Sequence, residues 1–185
     1  MTRATRVDWF PPGTGVTTPV PGDFILVRGT HWISRAVRLL QWLRRAPARR
    51  PALADGWSHA ALVTGSRGRI VEVVYGRPYA SHIGKYRDLG YHYVRVDASR
   101  QQRLAAVRFA EARAARPGLW PLHHCSSLVA QALAAGGAEF PRAPRGMHPG
   151  DLGWLYGARG KAGASRPSRG PAPALPTWSE DTTPR

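Results

Sequence analysis

The chain has 185 residues, of which 43% are hydrophobic and 21% charged, and its 27 basic and 11 acidic side chains give a formal net charge of +16. This length and composition predict one ordinary domain that buries its own core, and the single cysteine excludes a disulfide within the chain. No apolar stretch is long enough to span a membrane, and the first residues lack the apolar block of a signal peptide, so we expect a cytoplasmic protein.

The positive charge is carried by 25 arginines and only 2 lysines. Together with the abundance of alanine, glycine and proline, this bias is typical of a GC-rich genome. Codon bias explains the choice of arginine over lysine, but it does not explain the shortage of acidic residues. We therefore treat the charge as a surface property, for which nucleic acid, anionic lipid and an anionic wall polymer are all suitable partners.

The first elements in chain order are an arm, a strand and a helix. Residues 1–20 are rich in proline and glycine without periodicity, which predicts a flexible N-terminal arm, with order beginning at Pro21. Phe24–Val27 follows a turn signal and predicts a buried strand. Residues 32–45 carry their apolar side chains at helical spacing, which predicts an amphipathic helix. Arginines on its other face and in the loop after it form a basic segment that includes Arg35, Arg38, Arg45 and Arg49.

The later elements alternate between strands and helices. Residues 59–64 and 69–75 are strand-like and are joined by a turn at 65–68, which predicts a β-hairpin. A third strand is predicted at 91–96, a helix capped by Ser99 and Gln102 runs to about residue 115, and a helix over 125–135 ends at two glycines. After a last turn near Pro149, the composition predicts a disordered basic tail over 157–185. The order predicts an α+β domain over 21–156, with a small antiparallel sheet packed against helices.

Cys125 is the only cysteine and lies where 121–125 turns into a helix. Amide groups at a helix N-terminus stabilise a thiolate and lower the pKa of the thiol, as a nucleophilic cysteine requires. A buried structural thiol is the alternative, since Leu128 and Val129 fall on the same helical face.

His59 is the candidate base, because it begins an apolar strand that would hold its side chain rigidly. Glu72 is the one acid inside the apolar run 70–74, and the hairpin places it opposite His59, where a carboxylate orients an imidazole. The alternatives are a core histidine with its hydrogen bonds satisfied and a glutamate that faces solvent from an edge strand.

Metal and nucleotide sites have no support in the sequence. His123, His124 and Cys125 are consecutive and cannot easily converge on one ion, and no zinc-type spacing occurs elsewhere. Glycine-rich phosphate-binding loops are also absent. We expect neither a metal nor a cofactor.

Five segments in this order resemble the circularly permuted papain-like (NlpC-type) cysteine hydrolases, a group that includes relatives of lecithin retinol acyltransferase and bacterial amidase-like proteins. They lie within residues 20–156 and read Pro21-Gly-Asp-Phe-Ile-Leu-Val27, Trp57-Ser-His-Ala-Ala-Leu-Val63, Ile70-Val-Glu72, Cys125-Ser-Ser-Leu-Val129 and Pro149-Gly-Asp-Leu152. The histidine precedes the cysteine, as in the permuted group.

The resemblance implies a papain-like fold and a thiol-dependent hydrolase or acyltransferase that forms an acyl-enzyme. Cys125 would be the nucleophile, His59 the base and Glu72 the third residue of the triad. The substrate would contain an amide or ester bond, in a peptide, a peptidoglycan-like polymer or a lipid. Residues expected at the substrate cleft are Trp57, Ser58, Trp120 and His124.

A second function remains open from the sequence. The same scaffold could be catalytically inactive and act as a basic module through Arg35, Arg38, Arg45 and Arg49. Such a segment fits an anionic membrane or cell-wall surface better than the reading of a nucleic-acid sequence.

Overall fold

The computed structural model describes residues 4–28, 57–116, 124–140 and 147–157. The predicted helix at 32–45 and most of the predicted tail lie outside these residues, as do five residues with predicted roles: Arg35, Arg38, Arg45, Arg49 and Trp120. Among the helices in the described ranges, none has the length and apolar character needed to cross a membrane.

The domain is α+β, and its centre is one antiparallel sheet of six strands in the order β1-β6-β2-β3-β4-β5. The strands are β1 Ala4–Phe10, β2 Phe24–Val27, β3 His59–Val63, β4 Arg69–Val74, β5 Arg77–His82 and β6 Tyr91–Val96. The predicted strand at 24–27, the 59–75 hairpin and the strand at 91–96 are confirmed.

Three α-helices are present in the described residues: α1 Arg100–Ala114, α2 Cys125–Ala135 and the short α3 Pro149–Leu152. The predicted capping box of Ser99 and Gln102 begins α1. Gly136 follows α2 where that helix meets α1, and a Cβ there would lie 2.5 Å from the Gln102 carbonyl oxygen. A 3₁₀ turn, Ile83–Tyr86, connects β5 to β6, and a π turn follows α3.

The two edge strands differ from the sequence prediction. Residues 1–20 were expected to form a flexible arm, yet Ala4–Phe10 pairs along β6, and its side chains Val7 and Phe10 pack against the core. Strand β5 was not predicted either. Tyr75 and Gly76 both have positive φ, 50° and 73°, and form the two-residue turn that folds β5 back on β4. Proline at position 78 is tolerated because an edge strand leaves one row of backbone groups unpaired.

Both faces of the sheet are covered. On one face, Phe24, Leu62 and their neighbours pack against α1, α2 and α3. On the other face, a second apolar cluster includes Ile25 and Tyr93 and is closed by the 3₁₀ turn. The segment after β1 contributes here as well, because the Val20 N–H donates to the Tyr93 hydroxyl at 2.7 Å.

Asp23 ties the start of β2 to β6 and α1 while almost fully buried, with 1% of its surface exposed. Its Oδ1 accepts from the Val96 amide at 2.9 Å and from Arg103 Nη1 at 2.6 Å, and its Oδ2 accepts from the Tyr93 hydroxyl at 2.9 Å. A buried carboxylate is stable only when its oxygens are satisfied in this way.

We predict that Asp23→Ala lowers the free energy of unfolding by about 3 kcal/mol, because it leaves Arg103 and the Val96 amide without their buried acceptor. Urea denaturation measures the change. Asp97→Ala is the control: Asp97 is exposed, so its loss is expected to stay within about 0.5 kcal/mol. Equal stability losses in the two variants would contradict the role of Asp23.

Candidate active site

Cys125 is the first residue of α2, an 11-residue helix, and only 8% of its surface is exposed. The amides of the first helical turn place partial positive charge beside the sulfur. The residues that follow, Leu128 and Val129, are fully buried and anchor the helix against the sheet. This packing fits both interpretations of Cys125, as a buried structural thiol and as a nucleophile. The groups that surround the sulfur are what bear on the choice between them.

The thiol of Cys125 lies close enough to the His59 ring, at the start of β3, for each group to shift the pKa of the other. Burial opposes the charged imidazolium, but the negative charges of Cys125 and Glu72 outweigh burial and raise the pKa of His59 to about 9. Burial likewise opposes the thiolate, but the charge of His59 outweighs burial and lowers the pKa of Cys125 below its usual value. Each group therefore favours the charged form of the other, as the members of a thiolate–imidazolium pair do.

Two backbone amides complete the surroundings of the sulfur. The backbone N–H groups of Ala60 and Ser126 favour the anionic form of Cys125 and so lower its pKa. The Ala60 amide is available because the β3–β4 register begins one residue later, with Ala61 opposite Glu72. Because the β3–β4 pairing does not include Ala60, the amide of this residue is free to interact with the Cys125 thiol at the start of α2.

Glu72 orients His59 through its Oε2, which lies 2.7 Å from His59 Nε2. This bond occupies Nε2, so Nδ1 is the ring nitrogen that is left for an interaction with Cys125. Glu72 was expected directly opposite His59, whereas its register partner is Ala61, two residues further along β3. The side chains still meet, because His59 and Ala61 are two residues apart and face the same side of the sheet, and the long glutamate side chain reaches diagonally across to His59.

Glu72 is fully buried, with 0% of its surface exposed, so the solvent-facing alternative is wrong. Strand β5 pairs with the outer side of β4, so that β4 is an inner strand of the sheet. Three more groups donate to the carboxylate: Ser81 and Lys85 to Oε1, and Tyr86 to Oε2. Burial would raise the pKa of Glu72, but the hydrogen bonds from His59 and these residues hold it far below its ordinary value.

Ser81, Lys85 and Tyr86 were missed by the sequence analysis. Ser81 lies two residues after Tyr79, the register partner of Glu72 on β5, and Lys85 and Tyr86 are in the 3₁₀ turn. One signal was present, since lysine occurs at only two positions in an arginine-rich chain. Burial and the charge of Glu72 raise the pKa of Tyr86 far above its usual value, so its phenol stays a neutral donor.

Three of the residues expected at the substrate cleft are among the described residues: Trp57, Ser58 and His124. Trp57 is half-buried, its ring centroid is 4.4 Å from that of His92, and a Cβ at Gly153 would lie 2.5 Å from it. Ser58 is buried, and its amide donates to the Val27 carbonyl at 3.1 Å. His124 is exposed beside Cys125 and stacks on His148 at 5.4 Å. In the chain, Trp57 lies two residues before His59, and His124 directly precedes Cys125.

No group of three or more metal-ligating side chains is found within the ranges that the structure describes. Comparisons of the chain with protein-family models, with curated proteins and with solved structures gave no match.

We predict that iodoacetamide alkylates Cys125 with a pH profile that begins well below the usual thiol pKa of about 8.5. His59→Ala removes the imidazolium that stabilises the thiolate, so we expect alkylation at pH 6 to slow by at least about tenfold. Mass spectrometry of the intact protein measures the rate, and the single cysteine makes the signal specific.

The matched control is His82→Ala. His82 is exposed, and its ring contacts backbone groups of Arg67 and Gly84, so this variant should alkylate as the wild type does. An ordinary thiol profile in the wild type, or no effect of His59→Ala, would contradict the ion pair.

Proposed function

We propose that the protein is a thiol-dependent hydrolase or acyltransferase that acts on an amide or ester bond through a triad of Cys125, His59 and Glu72. The observation that carries the proposal is the continuous chain of contacts from the Cys125 thiol through the His59 ring to a fully buried glutamate. A nucleophile, a base and a group that orients the base are the three parts that covalent acyl transfer requires.

In the first half-reaction the Cys125 thiolate attacks the carbonyl carbon of the substrate and forms a C–S bond. His59 gives its proton to the leaving nitrogen or oxygen as the C–N or C–O bond breaks, and a thioester remains on Cys125. In the second half, water or another acceptor attacks the thioester and gives its proton to His59. The C–S bond then breaks and the thiolate–imidazolium pair is restored.

The negative oxygen of the tetrahedral intermediate needs donors next to the sulfur. We assign this role to the amide of Cys125, at the positive end of α2. The amides of Ser127 and Leu128 already donate to the His124 carbonyl, which fixes the first turn of the helix in this orientation.

We further propose that the domain is a circularly permuted papain-like fold of the NlpC type. The support is the arrangement of a cysteine at the N-terminus of a helix that packs on an antiparallel sheet, with the histidine on β3 and the glutamate on the adjoining strand. The histidine strand precedes the cysteine helix in the chain, as the permutation requires.

Peptide, peptidoglycan-like and lipid substrates all offer the carbonyl that this chemistry needs. The alternative function as a basic module depends on arginines outside the described residues, and no observation favours it.

We predict that p-nitrophenyl acetate acylates the wild-type chain with a burst of about one nitrophenolate per Cys125. Glu72→Gln should lower the acylation rate roughly 100-fold or more, because the uncharged amide no longer orients His59 or stabilises its charge. Stopped-flow absorbance measures the burst, and peptide mapping identifies the acylated residue.

Glu139→Gln provides the control, since Glu139 is exposed and far along the chain from the triad strands. It should acylate at the wild-type rate. Cys125→Ala should show no burst while keeping the wild-type circular dichroism spectrum. An equal burst in Cys125→Ala would show that another residue is acylated and would overturn the proposed triad.

A further inference from the structure

The carboxylate of Glu72 contacts two cationic side chains, not one. His59 binds Oε2, and the Lys85 ammonium contacts Oε1 from the 3₁₀ turn. The lysine head group is held in place by more than the carboxylate. It donates to the Tyr79 hydroxyl at 2.7 Å and lies 5.0 Å and 4.9 Å from the ring centroids of Tyr79 and Tyr86. Lys85 is therefore fixed against the triad although 35% of its side chain is exposed.

The count of charges shows what this contact does. A thiolate, an imidazolium and a carboxylate together carry one negative charge, and the ammonium of Lys85 brings the group to neutrality. Within the described residues, the polar groups that face Glu72 are His59 from β3, Ser81 from β5, and Lys85 and Tyr86 from the turn. Lys85 alone among them adds a charge that takes no part in the Cys125–His59 proton balance.

The choice of lysine also fits the geometry. Of the 27 basic residues, 25 are arginines, so a lysine at this contact is unusual for the composition of this chain. An ammonium is a compact point charge that satisfies one carboxylate oxygen and one hydroxyl, whereas a guanidinium is a wide planar fork that pairs best with both oxygens of a carboxylate. Oε2 of Glu72 is already occupied by His59 and Tyr86.

We propose that Lys85 is a positioning residue of this site, whose ammonium neutralises Glu72 and thereby sets the pH range over which the Cys125–His59 pair is charged. The inference rests on the proposed function, because it concerns the same triad. Lys85 acts through Glu72 and does not contact Cys125.

The sign of the effect follows from the charges. The pair loses two protons as the pH rises, first to form the thiolate–imidazolium pair and then to neutralise His59. Each loss makes the pair more negative, and a nearby cation favours both. Removal of Lys85 should therefore raise both apparent pKa values, by about one pH unit for a unit charge a few side chains away at an effective dielectric constant of about 20.

The experiment measures the pH profile of iodoacetamide alkylation of Cys125 in the full chain. Lys85→Met removes the charge and keeps the length of the side chain, and we expect its profile to move about one unit to higher pH. Lys85→Gln keeps a hydrogen-bond donor but not the charge, and it should shift in the same direction. Lys85→Arg keeps the charge and should stay closer to the wild type.

Arg87→Met is the matched control. It removes one positive charge two residues away, from a side chain whose Nε donates to the Gly13 carbonyl at 2.8 Å and does not contact Glu72. Its profile should stay within about 0.2 units of the wild type, since an exposed charge beyond the contact is screened.

The outcomes separate this inference from the proposed function. Wild-type profiles in both neutral Lys85 variants would overturn the inference and leave the triad intact. A shift in Lys85→Met but not in Lys85→Gln would also overturn it, because a hydrogen bond and not the charge would then hold Glu72. An ordinary thiol profile in the wild type would overturn the triad itself. If Lys85→Met fails to fold, the comparison of Lys85→Gln with Lys85→Arg decides the question alone.

Discussion

The buried carboxylate of Glu72 is the constraint on which the site depends. An ion of this kind, with no exposed surface, is stable in a protein interior only when hydrogen bonds and opposite charges replace its water. The structure supplies these from three elements: β3 brings His59, β5 brings Ser81, and the 3₁₀ turn brings Lys85 and Tyr86. The elements around β4 are thereby locked together by the same interaction that orients the candidate base.

The cysteine and the histidine reach each other from different layers of the domain. Cys125 belongs to the apolar cluster between the sheet and the helices, while His59 is the first residue of β3 and its ring lies 5.7 Å from that of Tyr86 on the other side. They meet beside the Ala60 amide, just before the point where the β3–β4 register begins at Ala61. If the β3–β4 pairing continued by one residue, the Ala60 amide would donate to the neighbouring strand. The thiolate of Cys125 would then lose one stabilising contact.

The sequence was sufficient to predict those elements that consist of an apolar run bounded by turn or cap residues. The β3–β4 hairpin is an example, with Gly68 at φ 84° in its turn, and α2 with its terminal glycines is another. The edge strands β1 and β5 escaped prediction because they are held mainly by backbone pairing to a neighbour, which leaves little trace in side-chain pattern.

The same reason limited the prediction of the site. Cys125, His59 and Glu72 stand out because each lies within a recognisable helix or strand. The remaining donors to Glu72 come from β5 and the turn after it, and their position depends on the tight turn at Tyr75 and Gly76. Without that strand in place, a lone lysine gives no indication of which carboxylate it meets. Its rarity in the chain became informative only once the contact was known.

The net charge of +16 has little influence on the ionisation of the site, because surface charges and buried charges are screened to different extents. Exposed charges further than about 10 Å away are screened by salt, so the arginines of the surface contribute little to the ionisation of a buried pair. Contacts inside the protein are screened far less. The alternation of thiolate, imidazolium, carboxylate and ammonium is therefore the electrostatic unit that matters for Cys125, and it is nearly neutral as a whole. Under the proposed function, a chain with a strongly basic surface keeps a nucleophile whose reactivity is set locally, by one glutamate and the two cations that contact it.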